Sequence, residues 1–103
     1  MRGEVYRLRA PRNPAGNEQQ ASRYAVVVQS NALPLSTWLV APTSTSARPA
    51  SFRPEIELNG QPTRVLVEQT TAVDPQRLGE LVGRLSLHEM NEVDTALRTV
   101  LDL

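Results

Sequence analysis

The chain has 103 residues, enough for one hydrophobic core and too few for two. Its 40% apolar and 21% charged residues describe a folded globular chain and exclude a mostly disordered one. A formal net charge of zero excludes a strong general affinity for duplex DNA, the lack of cysteine excludes disulfides and thiolate metal sites, and one histidine leaves little for zinc.

No apolar run approaches the roughly 20 residues that span a bilayer, and the opening MRGEVYRL lacks the apolar stretch of a signal peptide. The expectation is one domain, residues 1–103, in the cytoplasm, with no membrane contact. All eleven cations are arginine, so contact with a phosphate has to come from planar guanidinium forks, backbone amides or hydroxyls.

Residues 4–8 read as a first strand, with Val5, Tyr6 and Leu8 apolar. Residues 9–22 hold Pro11, Pro14 and Gly16 and almost nothing apolar, which predicts a long loop of the functional kind. A β-branched run then predicts a second strand over 24–29, with Arg23 at its lip. A guanidinium there can serve as a bidentate clamp for phosphate or carboxylate, although an arginine at a strand end is more often simply exposed.

A third strand is predicted over 37–41, stopped by Pro42 because proline cannot donate to a ladder, and the hydroxyls of Thr43, Ser44, Thr45 and Ser46 follow. Such hydroxyls ordinarily bond their own backbone. Residues 47–54, with two Arg and two Pro, read as a mobile second loop. Ile56 and Leu58 alternate with Glu55 and Glu57 in a half-buried fourth strand, Asn59 and Gly60 supply the turn, and a fifth strand is expected over 64–68 with Val65 and Val67 on one face.

Asp74 before Pro75 reads as an N-cap opening a single helical turn that Gly79 ends, and Leu81, Val82 and Leu85 around Gly83 suggest a last strand with a bulge or close backbone approach. Ser86 and Glu89 form a capping box, after which Leu87, Met90, Val93, Leu97, Val100 and Leu101 lie on one stripe of an amphipathic helix, with His88 off the stripe and exposed. Many short strands with one packing helix indicate a mainly β (α+β) fold, a small β-barrel with long loops.

Three groups of residues stand out chemically: Gly16, Glu18, Gln19 and Arg23; the hydroxyl row from Thr43; and Glu68 with Gln69. In order along the chain, Arg2-Gly3-Glu4-Val5-Tyr6, Gly16-Asn17-Glu18-Gln19 with Arg23, Val40-Ala41-Pro42-Thr43-Ser44-Thr45, Val67-Glu68-Gln69, and Gly83-Arg84-Leu85 with Asp94-Thr95-Ala96-Leu97 resemble the MazF-type toxin endoribonucleases, also called PemK-like or Kid-like. The resemblance covers nearly the whole chain. Tyr24 stands where the family carries proline, Ser44 where it carries threonine, and Pro62-Thr63-Arg64 where members often carry an acidic residue before the fifth strand.

The resemblance implies an SH3-like barrel, a homodimer, and cleavage of single-stranded RNA at a short sequence without metal or other cofactor. It also implies a cognate antitoxin whose acidic, apolar C-terminal segment covers the RNA groove. Carried over by position, Arg23 matches the family's catalytic arginine, Ser44 its catalytic threonine and Glu68 an acidic position used in acid–base work. Glu18, Gln19, Thr43, Thr45, Arg48, Arg53 and Gln69 are expected along the RNA path. In such a reaction the ribose 2′-hydroxyl attacks its own phosphate, leaving a 2′,3′-cyclic phosphate and a 5′-hydroxyl; Arg23 suits charge stabilisation, Ser44 hydrogen-bond donation, and Glu68 or a water proton removal. Two other readings are a gyrase-poisoning toxin of the same barrel, against which the ending Leu101-Asp102-Leu103 speaks because those toxins end in Trp-Gly-Ile, and a non-catalytic barrel that binds an acidic partner.

Overall fold

The computed structural model describes residues 1–9 and 23–103. The expected long loop, with Glu18 and Gln19, therefore falls almost wholly outside the described residues.

Valine-rich alternation builds the sheet. Strands β1 (Glu4–Leu8), β2 (Arg23–Val27) and β3 (Trp38–Ser44) pair antiparallel in sequence, with Val5 opposite Val26 and Val26 opposite Ala41. Strands β4 (Glu55–Leu58) and β5 (Gln61–Val65) form a hairpin whose corner, Asn59 at φ 54° and Gly60 at φ 77°, is the left-handed pair that an Asn-Gly turn provides. Two further strands, β6 (Thr71–Val73) and β7 (Leu78–Arg84), complete a seven-stranded sheet of order β4-β5-β3-β2-β1-β7, with β6 also on β3. This is the mainly β, small-barrel architecture expected, closed over its core by one C-terminal helix.

The barrel turns at β3. Its first half pairs β6 (Val40 opposite Thr71) and its second half pairs β5 (Thr43 opposite Val65), so the strand changes partners midway. Pro42 sits at the changeover and does not end the strand, contrary to expectation. Its carbonyl accepts the Leu66 N–H at 2.8 Å, so its nitrogen faces that same edge, at the gap between the two partners where a missing N–H breaks no ladder bond.

The expected fifth strand over 64–68 is displaced for a related reason. The two-residue turn fixes Leu58 opposite Gln61, so β5 begins at Gln61 and ends at Val65, and Val67–Gln69 forms a 3₁₀ turn that carries Glu68. The Asp74 cap is as expected: its carboxylate accepts the Gln76 N–H at 2.9 Å and opens the 3₁₀ turn Pro75–Arg77. In β7 the pairing slips between Val5 opposite Gly83 and Tyr6 opposite Leu81, the anticipated bulge. The close backbone approach lies at Gly79, not Gly83: a Cβ on Gly79 would stand 3.3 Å from the Arg7 carbonyl oxygen, whereas one on Gly83 would meet nothing within 4 Å.

Helix α1 (Leu87–Leu101) starts at the Ser86/Glu89 capping box, both halves of which form. The second Glu89 oxygen accepts the Glu57 N–H at 2.9 Å, which covers the open edge of β4 with a helix. The predicted stripe is only partly buried. Val93 and Ala96 enter the main core with Val5, Val26, Ile56, Val65 and Val67, and Met90 and Leu97 pack against it. Leu87 is 80% exposed and Leu101 59%, so the two ends of the stripe stay outside the core. His88 is exposed, as expected. A smaller cluster of Ala25, Val27, Val40, Val73 and Leu78, with Tyr6, Leu8 and Trp38, lies on the opposite face of the sheet.

Candidate active site

Strand register decides which polar residues meet. Ala25 lies opposite Pro42, and the same register continued outward places Arg23, the first residue of β2, opposite Ser44, the last of β3. The Thr43 hydroxyl donates to the Tyr24 carbonyl at 3.1 Å, which fastens the two strands one residue inward of that pair. Directly opposed residues of an antiparallel sheet share a face, so the Arg23 guanidinium and the Ser44 hydroxyl project on the same side. Arg23 is exposed and Ser44 half-buried.

Tyr24, in place of the family's proline, is tied down by its side chain. Arg7 lies over its ring at 5.3 Å from the centroid, and Asn59 reaches its hydroxyl at 3.4 Å. Ser44 lacks a threonine methyl, yet its oxygen accepts the Ser46 N–H at 3.1 Å, so a local turn restricts the rotamer that the methyl otherwise would. The Ser44 oxygen also stands 3.4 Å from the Ser46 oxygen. Thr43, by contrast, spends its hydroxyl on the Tyr24 carbonyl, while Thr45 and Gln69 are exposed.

Glu68 and Arg53 meet each other. Arg53 donates from Nε at 2.9 Å and from Nη2 at 2.6 Å to the single oxygen Oε2, and from Nη1 to the Arg48 carbonyl at 3.3 Å. The other carboxylate oxygen, Oε1, is buried with no hydrogen-bond partner among the described residues. The Arg53 hydrogen bonds hold the Glu68 carboxyl below its ordinary value of 4.5, with burial working the other way. The carboxylate is therefore ionised at neutral pH, with one oxygen gripped and the other sealed, which suits fixing the loop 45–54 to the 3₁₀ turn better than collecting a proton. Arg53 is likewise engaged with protein, whereas Arg48 is exposed.

Arg64 joins this face; its sequence context marks it only as part of Pro62-Thr63-Arg64, with no site role. It lies opposite both Ser44 and Glu55, which extends the row to Arg23, Ser44, Arg64 and Glu55 across four strands. The signal was present in the Asn-Gly turn, because counting pairs outward from Leu58 opposite Gln61 places Glu55 opposite Arg64.

Comparison with known proteins agrees with this architecture. The family model for the PemK-like, MazF-like toxin of type II toxin-antitoxin systems matches residues 1–101. A curated Mycobacterium tuberculosis protein named "Putative toxin Rv3098A" is 41% identical over 104 residues, covering 100% of this chain and 98% of its own. Among solved structures, a mycobacterial endoribonuclease in complex with its cognate antitoxin superimposes with a TM-score of 0.82 at 21% identity, covering 100% of this chain and 95% of that one. The M. tuberculosis toxin MazF-mt6 gives 0.78 at 17%, covering 97% of each chain, and Deinococcus radiodurans MazF gives 0.77 at 21%, covering 99% and 96%. At those identities the structures speak for the fold, while the family model and the curated relative speak for descent: the chain belongs to the PemK-like, MazF-like toxins of type II toxin-antitoxin systems.

Proposed function

We propose that this toxin is a sequence-specific, metal-independent endoribonuclease that cuts single-stranded RNA to 2′,3′-cyclic phosphate and 5′-hydroxyl ends. The observation that carries the reading is the Arg23–Ser44 pair, a guanidinium and a hydroxyl on facing strand ends of a toxin whose family resemblance points to RNA cleavage. As the 2′-oxygen attacks phosphorus, the phosphoryl oxygens gain negative charge; Arg23 meets that charge with two donors, and the Ser44 O–H donates to one phosphoryl oxygen while its lone pair stays on the Ser46 N–H. The 2′-hydroxyl proton leaves to a water, since Glu68 is already gripped by Arg53. A proton returned from solvent completes the 5′-hydroxyl of the leaving strand. RNA runs past Thr45, Arg48 and Gln69; Glu18 and Gln19, which the resemblance adds to the path, lie outside the described residues.

The toxin works as a two-fold homodimer in the cytoplasm, and its antitoxin lays an acidic C-terminal segment over the groove, competing with RNA for Arg23 and Arg48. Incubation with long single-stranded RNA in EDTA tests the core of the reading: discrete fragments with 5′-hydroxyl ends are expected from the wild type. Arg23→Ala should cut about 100- to 1000-fold more slowly while binding RNA nearly as well, the scale for losing one transition-state donor. Arg23→Lys should recover little, and Ser44→Thr should keep or raise the rate. A well-folded Arg23→Ala protein that cuts at the wild-type rate would end the proposal.

A further inference from the structure

Arg64 differs from the other cations near the site in how it is held. Arg53 spends three nitrogens on Glu68 and on the Arg48 carbonyl. Arg64 makes one close bond among the described residues, from Nη1 to the Arg53 carbonyl at 2.9 Å, and its Nη2 stands 3.5 Å from Glu55 Oε1. That second contact is at the limit of a hydrogen bond, and Glu55 is itself 54% exposed, so solvent competes for it. The guanidinium thus keeps donors to spare, on the face that Ser44 shares.

Register supplies the rest of the argument. Ser44 lies directly opposite Arg64 on one side and, by continuation, opposite Arg23 on the other. Adjacent strands are about 4.8 Å apart, so the two arginine backbones stand roughly 10 Å apart with the hydroxyl between them. Their long side chains can close on neighbouring phosphates of one strand, a separation that a single phosphate would not need. We propose that Arg64 is a substrate-positioning residue that grips an RNA phosphate next to the one addressed by Arg23 and Ser44, and that Glu55 occupies Arg64 until RNA displaces it.

This rests on the endoribonuclease reading and adds to it a residue and an internal competitor. Arg64 touches no reacting atom in this scheme, so its loss raises KM and leaves kcat nearly intact. The test uses the full chain and a mixed pool of short 2′-O-methyl RNAs, which cannot be cut, beside cleavage of long unmodified RNA. Arg64→Gln keeps a donor for the Arg53 carbonyl but removes the charge. It should weaken binding about five- to tenfold at low salt and lower the slope of log affinity against log salt by about 0.7, the value for one phosphate contact on a single strand.

Arg64→Lys should keep the salt slope, and Glu55→Gln, which leaves β4 otherwise unchanged, should tighten RNA binding. A purely structural Arg64 predicts a lower melting temperature for Arg64→Gln with the wild-type salt slope, and no effect of Glu55→Gln on RNA. That pattern, with a wild type that cuts RNA, overturns the role of Arg64 alone. A wild type that neither cuts nor binds RNA overturns the endoribonuclease reading, and this inference with it.

Discussion

Replacing Glu68 by glutamine removes the charge that Arg53 grips while preserving shape. Both side chains of the pair are about three-quarters buried, at 24% and 25% exposure, and both donors converge on one oxygen. A hydrogen bond to a charged group contributes about 1.5–3 kcal/mol; two on one oxygen at partial exposure, discounted for screening, come to about 2 kcal/mol in total. With an unfolding entropy near 2.1 cal/mol/K per residue, a chain of this length should lose roughly 9 °C of melting temperature at neutral pH. The pH dependence has a definite sign. Because the folded carboxyl titrates below its unfolded value of about 4.5, its stabilisation is fully present above that value and is lost as pH falls through the folded pKa. Thermal melts of wild type and Glu68→Gln at a series of pH values should therefore show a constant gap above about 4.5 that narrows as the pH falls below it and through the lowered folded pKa. A double-mutant cycle with Arg53→Met should assign most of the loss to the pair. A gap under about 2 °C at neutral pH, or one that persists unchanged into acid, would refute the argument.

Other outcomes follow from burial and backbone geometry. Val93→Ala deletes two methyl groups at a fully buried site and should cost about 2–3 kcal/mol in urea unfolding, whereas Leu87→Ser on the same nominal stripe, at 80% exposure, should stay within about 0.5 kcal/mol. Gly60→Ala meets no neighbour within 4 Å but must hold φ near 77°, so a loss of about 1 kcal/mol is expected from backbone alone; an unchanged melting temperature would mean that the hairpin adopts another turn.

Local chemistry was legible wherever a few adjacent residues settle the matter. The Asp74-Pro75 cap, the Ser86/Glu89 box, the Asn59-Gly60 turn and the alternation of Ile56 and Leu58 each satisfy their own backbone groups or bury one face without distant help. The order of family-like motifs was equally readable from the chain, and with it the toxin family and the small barrel. Arg23 at the head of a core strand could be singled out for the same reason, since the valine run behind it marks the strand.

Long-range pairing decided the rest. Whether Pro42 ends a strand depends on which strand lies across from it, and here the partner changes at that residue. The helical stripe marks which side residues face but not which of them find a partner beneath, so Leu87 and Leu101 carry the pattern and stay exposed while Val93 is buried. An acid such as Glu68 at a strand end is ordinarily solvated or paired with an arginine, and only folding shows that its partner is Arg53, fifteen positions away. The Asn-Gly turn sets Arg64 opposite Glu55, but only the long-range pairing of β5 with β3 puts its charge beside the Ser44 hydroxyl, because such cross-strand neighbours are set by hydrogen-bond ladders that a linear pattern does not encode.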